Sequence, residues 1–317
     1  MRAATIVDGR IEVADRPDPE PQDGQLLVRV RAAGLNGADI LQVAGHYPPP
    51  PGVPADIPGL ELAGEVVACG RRVGRFEPGD RVMAVVSGGG QAEYAVVHER
   101  TAMPVPDELD WTAAGGVPEV FTTAHDALFT QAGLTVGERL LVHGAAGGVG
   151  MAAVQLGVMA GARVTASVRD PHAREQVAAL GAVNAIAPED FVEAGEFDVI
   201  LELVGAINLA GNLDALATSG RICVIGVGAG ATTEINLMKL MQKRGRIHGS
   251  TLRTRPIEEK AVAARLVEKM VLPGFASGDL SVPVTASFPL EEAPAAYERF
   301  GAGKKLGKVV LDIGEPR

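Results

Sequence analysis

Between residues 139 and 252 short apolar runs of β-type composition alternate with amphipathic stretches, and no other feature restricts the possible folds so strongly. The runs are RLLVH (139–143), ARVTASV (162–168), FDVILELV (197–204), RICVIGV (221–227) and RIHGSTL (246–252). They recur at the spacing that strand–helix–strand crossovers require, so the pattern predicts a parallel sheet covered on both faces. Helical spacing puts Val149, Ala153, Leu156 and Ala160 on one face after the first run. It does the same for Ala173, Val177 and Leu180 after Asp170-Pro171.

Residues 1–118 follow a different rule. QLLVRVRAAG (25–34), ELAGEVVACG (61–70), DRVMAVV (80–86) and QAEYAVV (91–97) are short alternating runs broken by Pro and Gly, which predicts an antiparallel barrel or sandwich. A charged helix is expected over 257–271, and the strand-like GKVVLDI (307–313) should return to the first domain, because the parallel unit is already complete. The expected plan is therefore a first domain over 1–118, a dinucleotide-binding domain over 119–255, and a segment over 256–317 that rejoins the first domain. A length of 317 residues suits two domains.

The strand RLLVH runs directly into G-A-A-G-G-V-G (144–150) and then a helix. Residues 144–162 carry no charge over about the length of a membrane span, but six of them are glycine and four of those crowd the start, which reads as a tight turn feeding a buried helix. In that context the glycines let the backbone turn sharply and let a diphosphate approach the first helical turn, where free N–H groups and the macrodipole favour an anion. The alternative use is close strand–helix packing alone. Cofactor choice falls at the end of the next strand, at Arg169, Asp170 and Pro171. Pro171 suits a first helical position, which makes Asp170 the N-cap and leaves Arg169 to meet a 2′-phosphate. The reading is NADPH in preference to NADH, with a solvated surface arginine as the plainer alternative.

A net charge of −10 argues against a default affinity for nucleic-acid backbones or anionic membranes. The run KRGRIHGSTLRTR (243–255) concentrates six basic residues, counting His248. An RNA-binding tract is one reading; a buried strand with solvated charged flanks is preferred. Charges at Arg2, Asp8, Arg10, Glu12 and Asp15 leave no apolar core for a secretory signal. Cys69 and Cys223 are far apart and outside any C-x-x-C, so no disulfide framework or thiolate zinc site is expected and a reducing, cytoplasmic setting fits. Six histidines stand singly, with no H-E-x-x-H, so no metal site is expected. Ser87 and Ser250 lack a G-x-S-x-G elbow, His143 reads as a packed strand histidine, and Glu202 as a strand-end acid reaching a loop N–H. What remains is hydride chemistry supplied by a nicotinamide cofactor.

Taken together, LNGADILQVAGHYPPPPG (35–52), IPGLELAGEV (57–66), GGGQAEY (88–94), VPEVFTTAH (117–125), GAAGGVG (144–150), KRGRIHGSTLRTR (243–255) and GKVVL (307–311) run in order along almost the whole chain. The set resembles the zinc-free medium-chain dehydrogenase/reductases, the zeta-crystallin-like quinone oxidoreductases, and among them is most similar to the tumour-suppressor-inducible branch. The resemblance implies a Rossmann parallel-sheet domain inserted into a GroES-like antiparallel β-barrel domain, and a homodimer. Zinc-dependent relatives carry a cysteine at the position matching Asn36 and a histidine at that matching Leu60. Carried over residue by residue, Tyr47 should border the nicotinamide and the substrate cleft, with Thr123 near the same ring. Gly147, Gly148 and Val149 should hold the diphosphate, and Val204, Gly205, Gly226, Val227, Thr251 and Leu252 should line the cofactor. Where many members carry a lysine for the 2′-phosphate, this chain has Ala173, so Arg169, or Arg174 beside it, must replace it. Asn36 is a candidate hydrogen-bonding group for the acceptor, or else a turn residue, and Asp39 is expected to cap a short helix beginning at Ile40.

The function these readings imply is transfer of reducing equivalents from NADPH to a quinone or conjugated carbonyl without metal, Tyr47 and Asn36 orienting the acceptor oxygen or relaying a proton. A quinone is aromatised as it is reduced, so little acid–base help is expected. The alternatives are an enoyl-thioester or alkenal reductase of the same fold, and an NADPH-binding regulator or RNA-binding protein with little turnover.

Overall fold

The computed structural model describes residues 1–303 and 306–314; residues 304–305 and 315–317, which fall in the expected C-terminal segment, lie outside the described residues. The chain divides into two compact units, one formed by residues 1–122 with 252–317 and the other by residues 123–251.

The first unit opens with an antiparallel hairpin of β1 (Arg2–Val7) and β2 (Arg10–Asp15). Its turn is Asp8-Gly9, both with positive φ, the two-residue connection whose twist matches that of the flanking strands. Then follow β3 (Gln25–Gly34), helix α1 (Gly37–Val43), β4 (Glu61–Cys69), β5 (Arg81–Val85), β6 (Tyr94–His98) and β7 (Ala102–Pro104). Strict alternation along β3 buries Leu26, Val28 and Val30 while Arg29 and Arg31 face outward to Glu65. A short helix, α2 (Trp111–Ala114), is capped by Asp110, and α3 (Pro118–His125) begins on proline. The predicted helix start at Ile40 is corrected: α1 begins at Gly37 with Asn36 as N-cap. Asp39 stands at the third helical position, where its carboxylate accepts the Asn36 N–H at 2.8 Å.

The second unit alternates β8 (Arg139–His143), α4 (Gly148–Met159), β9 (Arg163–Ser167), α5 (Pro171–Ala178), β10 (Asn184–Ile186), β11 (Phe197–Glu202), α6 (Leu209–Ala215), β12 (Leu216–Val224), α7 (Leu237–Lys243) and β13 (Arg246–Gly249). Among the described residues its six strands are all parallel, in the order β10-β9-β8-β11-β12-β13, the doubly wound order in which the chain reverses direction between β8 and β11. Four predicted runs extend past the strands they mark: β9 ends at Ser167, β11 at Glu202, β12 at Val224 and β13 at Gly249, where the chain turns off into loops, while β12 begins earlier than predicted, at Leu216. The uncharged stretch 144–162 holds a helix of 12 residues, buried over most of its length because Gly157 lets it approach the sheet; a Cβ there would lie 2.7 Å from Leu140. No helix among the described residues is long and apolar enough to cross a membrane.

The chain then returns to the first unit through α8 (Ile257–Met270), α9 (Leu272–Ser277), β14 (Val284–Pro289), α10 (Ala293–Gly301) and β15 (Lys308–Asp312). β15 pairs antiparallel with β3, and β14 pairs parallel with β15, which makes the sheet mixed at that edge. The sheet order is β14-β15-β3-β4-β5-β7, with β6 on β3. Leu62, Val66 and Val82 from the sheet pack with Tyr297 and Phe300 of α10 to form the core.

Candidate functional site

In the second unit three loops meet at the carboxyl ends of β8, β11 and β12. Gly147 is the N-cap of α4 and has no side chain to cap it, so the first N–H groups of the helix lack an intrahelical or side-chain partner. The glycines of this turn have separate reasons. A Cβ on Gly150 would sit 2.4 Å from the Gly144 carbonyl, so the turn's own packing excludes one; a Cβ on Gly147 would meet only that carbonyl, at 3.5 Å. Gly147 is therefore open to approach from outside. Gly205, at φ +130°, lies so close to residues 227–230 that a Cβ would be 2.7 Å from the Gly230 carbonyl, and one on Gly226 would be 2.3 Å from that of Leu203. These close approaches bring Val204, Gly205, Gly226 and Val227 beside one another, while a Cβ on Gly144 would be 3.4 Å from Val204.

Glu202 holds the first of these loops. Its Oε1 accepts the N–H groups of Val204 and Gly205 at 2.7 and 2.8 Å, and its Oε2 accepts Asn212 Nδ2 at 2.8 Å. Asn212 Oδ1 in turn lies 2.7 Å from His143 Nε2, and burial holds that imidazole below its ordinary pKa against the opposing pull of Glu202. His143 is thus packed and satisfied, and Glu202 is the strand-end acid the sequence suggested. Asp170 caps α5 through the His172 N–H at 3.0 Å, and Arg169, just past β9, is exposed. Arg174 is committed elsewhere, its Nε donating to the Val168 carbonyl. Thr123 is buried in α3, and Thr251 is exposed beyond β13.

In the first unit Tyr47 is half-buried after α1, with the Arg253 guanidinium 4.9 Å from its ring centre. Arg253 is 4% exposed and fully used: Nη1 donates to the Tyr47 carbonyl, Nη2 to Gln42 Oε1 and Nε to the Ser87 carbonyl. This corrects the reading of 243–255 as a strand with solvated charged flanks, because Arg253 has left the strand and packs under Tyr47. Leu252 beside it is buried, and Lys243 pairs with Glu196, so the basic run forms no single stripe. Burial raises the Tyr47 hydroxyl above its ordinary pKa, with Arg253 opposing.

Asn36 belongs to a buried polar cluster. Its Nδ2 donates to Glu61 Oε1 at 2.8 Å and its Oδ1 accepts from Lys308 Nζ at 2.9 Å; the same ammonium donates to the Leu35 carbonyl and to Glu61. Glu61 Oε2 accepts the Glu119 N–H at 2.8 Å. Asp39 accepts from the N–H groups of Asn36 and Gly59, and burial nonetheless pushes its carboxyl up to about 6. Four participants escaped the sequence reading: Glu61, Glu119, Arg253 and Lys308. A lysine opening the apolar strand KVVL and an acid opening ELAGEV were visible signals that each needed a buried partner. Among the described residues no three His, Cys, Asp or Glu side chains group so as to hold a metal ion.

This arrangement can be set beside known proteins. Residues 22–107 match the family model for the alcohol dehydrogenase GroES-like domain, and residues 148–269 match the model for zinc-binding dehydrogenase. The class is thereby defined: a medium-chain dehydrogenase/reductase, with the NAD(P)-binding fold of that superfamily. The quinone oxidoreductase of Lama guanicoe is 33% identical over 304 residues, spanning 92% of this chain and 90% of that protein. The chain belongs to the quinone oxidoreductase, zeta-crystallin-like, family. Among solved structures, the Pseudomonas syringae pv. Tomato DC3000 quinone oxidoreductase superposes with a TM-score of 0.86 at 27% identity, covering 98% of this chain and all of that one. A mycobacterial protein complexed with NADPH gives 0.87 at 25% identity, covering 98% and 99%.

Proposed function

We propose that this chain reduces quinones with NADPH, without a metal ion, as a member of the tumour-suppressor-inducible branch. The observation that carries the reading is the first turn of α4, where uncapped N–H groups lie under a glycine that leaves room for a ligand. Gly147, Gly148 and Val149 fit a diphosphate there. Glu202 holds Val204 and Gly205 in place, and with Gly226 and Val227 they supply a wall of small and apolar residues for the rest of the dinucleotide. Arg169, exposed and without a side-chain hydrogen bond among the described residues, is the group available to a 2′-phosphate, since Arg174 is occupied by the backbone. Thr123, Thr251 and Leu252 complete the proposed cofactor contacts. When bound, NADPH supplies the hydride.

The acceptor is assigned by family membership and by Tyr47. A half-buried aromatic ring, fixed from one side by Arg253, offers a flat apolar surface and a hydroxyl to a flat acceptor that carries oxygen at its edge. Asn36 enters as a support, because its amide is engaged with Glu61 and Lys308 and fixes the end of β3 beside α1. The two cysteines are free thiols, and burial lifts Cys223 to about 12, which keeps it unreactive; two widely spaced cysteines without a partner motif fit the proposed reducing, cytoplasmic compartment. The working form is proposed to be a homodimer.

The deciding experiment is an acceptor panel of quinones, enals and enoyl thioesters, each with NADPH and with NADH. Fastest turnover is expected with a quinone and NADPH. Turnover confined to enals or thioesters would transfer the chain to the double-bond reductases of the same fold, and RNA binding at physiological salt without turnover would make it a regulator.

A further inference from the structure

Two strand ends in the second unit are joined by a chain of buried polar groups. β8 ends on His143, directly before the glycine turn, and β11 ends on Glu202, directly before the loop that carries Val204 and Gly205. These are the neighbouring strands between which the sheet reverses direction, the place where doubly wound folds bind their ligands. Asn212 of α6 stands between the two side chains. Gly211 lets that helix close on Phe191, since a Cβ there would lie 2.5 Å from Phe191 Cζ, and Phe191 meets the His143 imidazole edge-on with ring centres 4.7 Å apart. Exposures of 1% for His143, 2% for Glu202 and 0% for Asn212 leave none of the three to water. Apolar side chains could fill this space without desolvating a carboxylate, so the polar chain needs a reason beyond packing.

The donors around Glu202 set the direction of each bond. Val204 and Gly205 present backbone N–H groups to Oε1 at 2.7 and 2.8 Å, and these can only donate. Asn208 Nδ2 adds a third donor at 3.3 Å. Oε2 receives Asn212 Nδ2 at 2.8 Å, which leaves the other end of that amide, Oδ1, to accept. The atom 2.7 Å from Oδ1 is His143 Nε2, so Nε2 is the donor. Burial holds the imidazole below its ordinary pKa, and near neutrality it has one ring proton to place.

We propose that His143 and Asn212 are positioning residues for the dinucleotide: with the imidazole proton on Nε2, a one-way chain of hydrogen bonds from His143 through Asn212 to Glu202 locks the Val204–Gly205 loop to the end of the strand that feeds the glycine turn. This rests on the dinucleotide reading above. Cutting the chain at Asn212 strands Glu202 Oε2 and the His143 N–H in a dry interior, and the carboxylate can then turn away from the loop amides to find another donor.

The test uses the full chain and needs no turnover. Without dinucleotide, nitrogen NMR should find the His143 proton on Nε2, the signal being identified by its loss in His143→Gln. Glu202→Gln keeps an oxygen for the loop N–H groups, which cannot invert, and makes the other atom a donor. Asn212 must then turn its amide over, and His143 must move its proton to Nδ1. Asn212→Leu removes both links, and fluorescence titration should show NADPH and NADH binding weakened alike, by about tenfold. Asn212→Asp, nearly the same shape, puts an acceptor where Oε2 needs a donor and should weaken both in the same way, while Glu202→Gln should lose less. Each titration is run well below the variant's thermal transition, where a loss of stability alone leaves affinity unchanged. Parent-like affinity for both nucleotides in Asn212→Leu or in Asn212→Asp, a parent protein with the proton on Nδ1, or the same tautomer in parent and Glu202→Gln overturns the proposal while leaving the dinucleotide reading standing. A parent protein that binds neither nucleotide overturns that reading, and the positioning role with it.

Discussion

Lys308 shows how far a single residue can reach. It is almost fully buried at the start of β15, and its ammonium is shared between Glu61, Asn36 and a carbonyl. Removing one member of a buried ion pair strands the other charge, so Lys308→Met should cost about 3–5 kcal/mol, read as a lower urea midpoint, and adding Glu61→Gln should recover part of it. The two raised carboxyls predict a pH dependence. Asp39 and Glu119 hold their protons more tightly folded than unfolded, so the stability they confer is present below about pH 4 and is lost as pH rises through about 6 and about 8. Glu119→Gln should flatten the upper part of that slope in denaturation curves, and an unchanged slope would mean that the carboxyl is not raised. For the cofactor, Arg169→Ala should raise the NADPH KM by about tenfold or more and spare NADH, since one charge-assisted contact is lost. Equal effects on both nucleotides would remove the 2′-phosphate role. Little of this was legible beforehand: one residue type at one position does not disclose which distant partner will satisfy it, and Arg253 read as a strand flank although it packs beneath Tyr47.

Elements were far more readable, because periodicity is a local property. The runs 25–34 and 139–143 coincide with β3 and β8. The closing run became β15 on the first unit's sheet. Two elements went unread for different reasons. The β1–β2 hairpin carries a clear Asp-Gly turn signal in a stretch read only for its charges, whereas β10 is three residues long and has no periodicity to detect. The glycine turn before α4 separates packing from ligand access. Gly150→Ala places a Cβ against the Gly144 carbonyl and should both destabilise the protein and abolish dinucleotide binding. Gly147 has φ −77° and room for a methyl group, so Gly147→Ala should leave stability within about 1 kcal/mol while weakening NADPH binding. Thermal unfolding together with a dinucleotide fluorescence titration separates the two; equal losses of stability would mean that Gly147 is also a packing residue.

At the scale of the whole molecule, the second unit exposes a surface that a lone chain has little reason to keep. β13 is the edge strand of its sheet among the described residues, so one side of its backbone N–H and C=O groups faces no strand. Beside it in sequence, α7 exposes Leu237, Met238 and Met241 by 62%, 61% and 68%, three apolar side chains whose spacing puts them on one helix face. Ile235, in the loop before α7, is exposed as well. An edge strand paired with its own copy about a two-fold axis would satisfy both features at once, joining two six-stranded sheets into one of twelve and covering the methionines. The net charge of −10 per chain opposes association only weakly at physiological salt, where charges separated by more than about 8 Å are screened. Sedimentation at micromolar concentration should therefore find a dimer. Met238→Lys with Met241→Glu should shift it to monomer while circular dichroism remains unchanged, because neither side chain is part of the core. A parent protein that sediments as a monomer, or a double variant that still dimerises with the parent affinity, would show that this face is not where two copies meet.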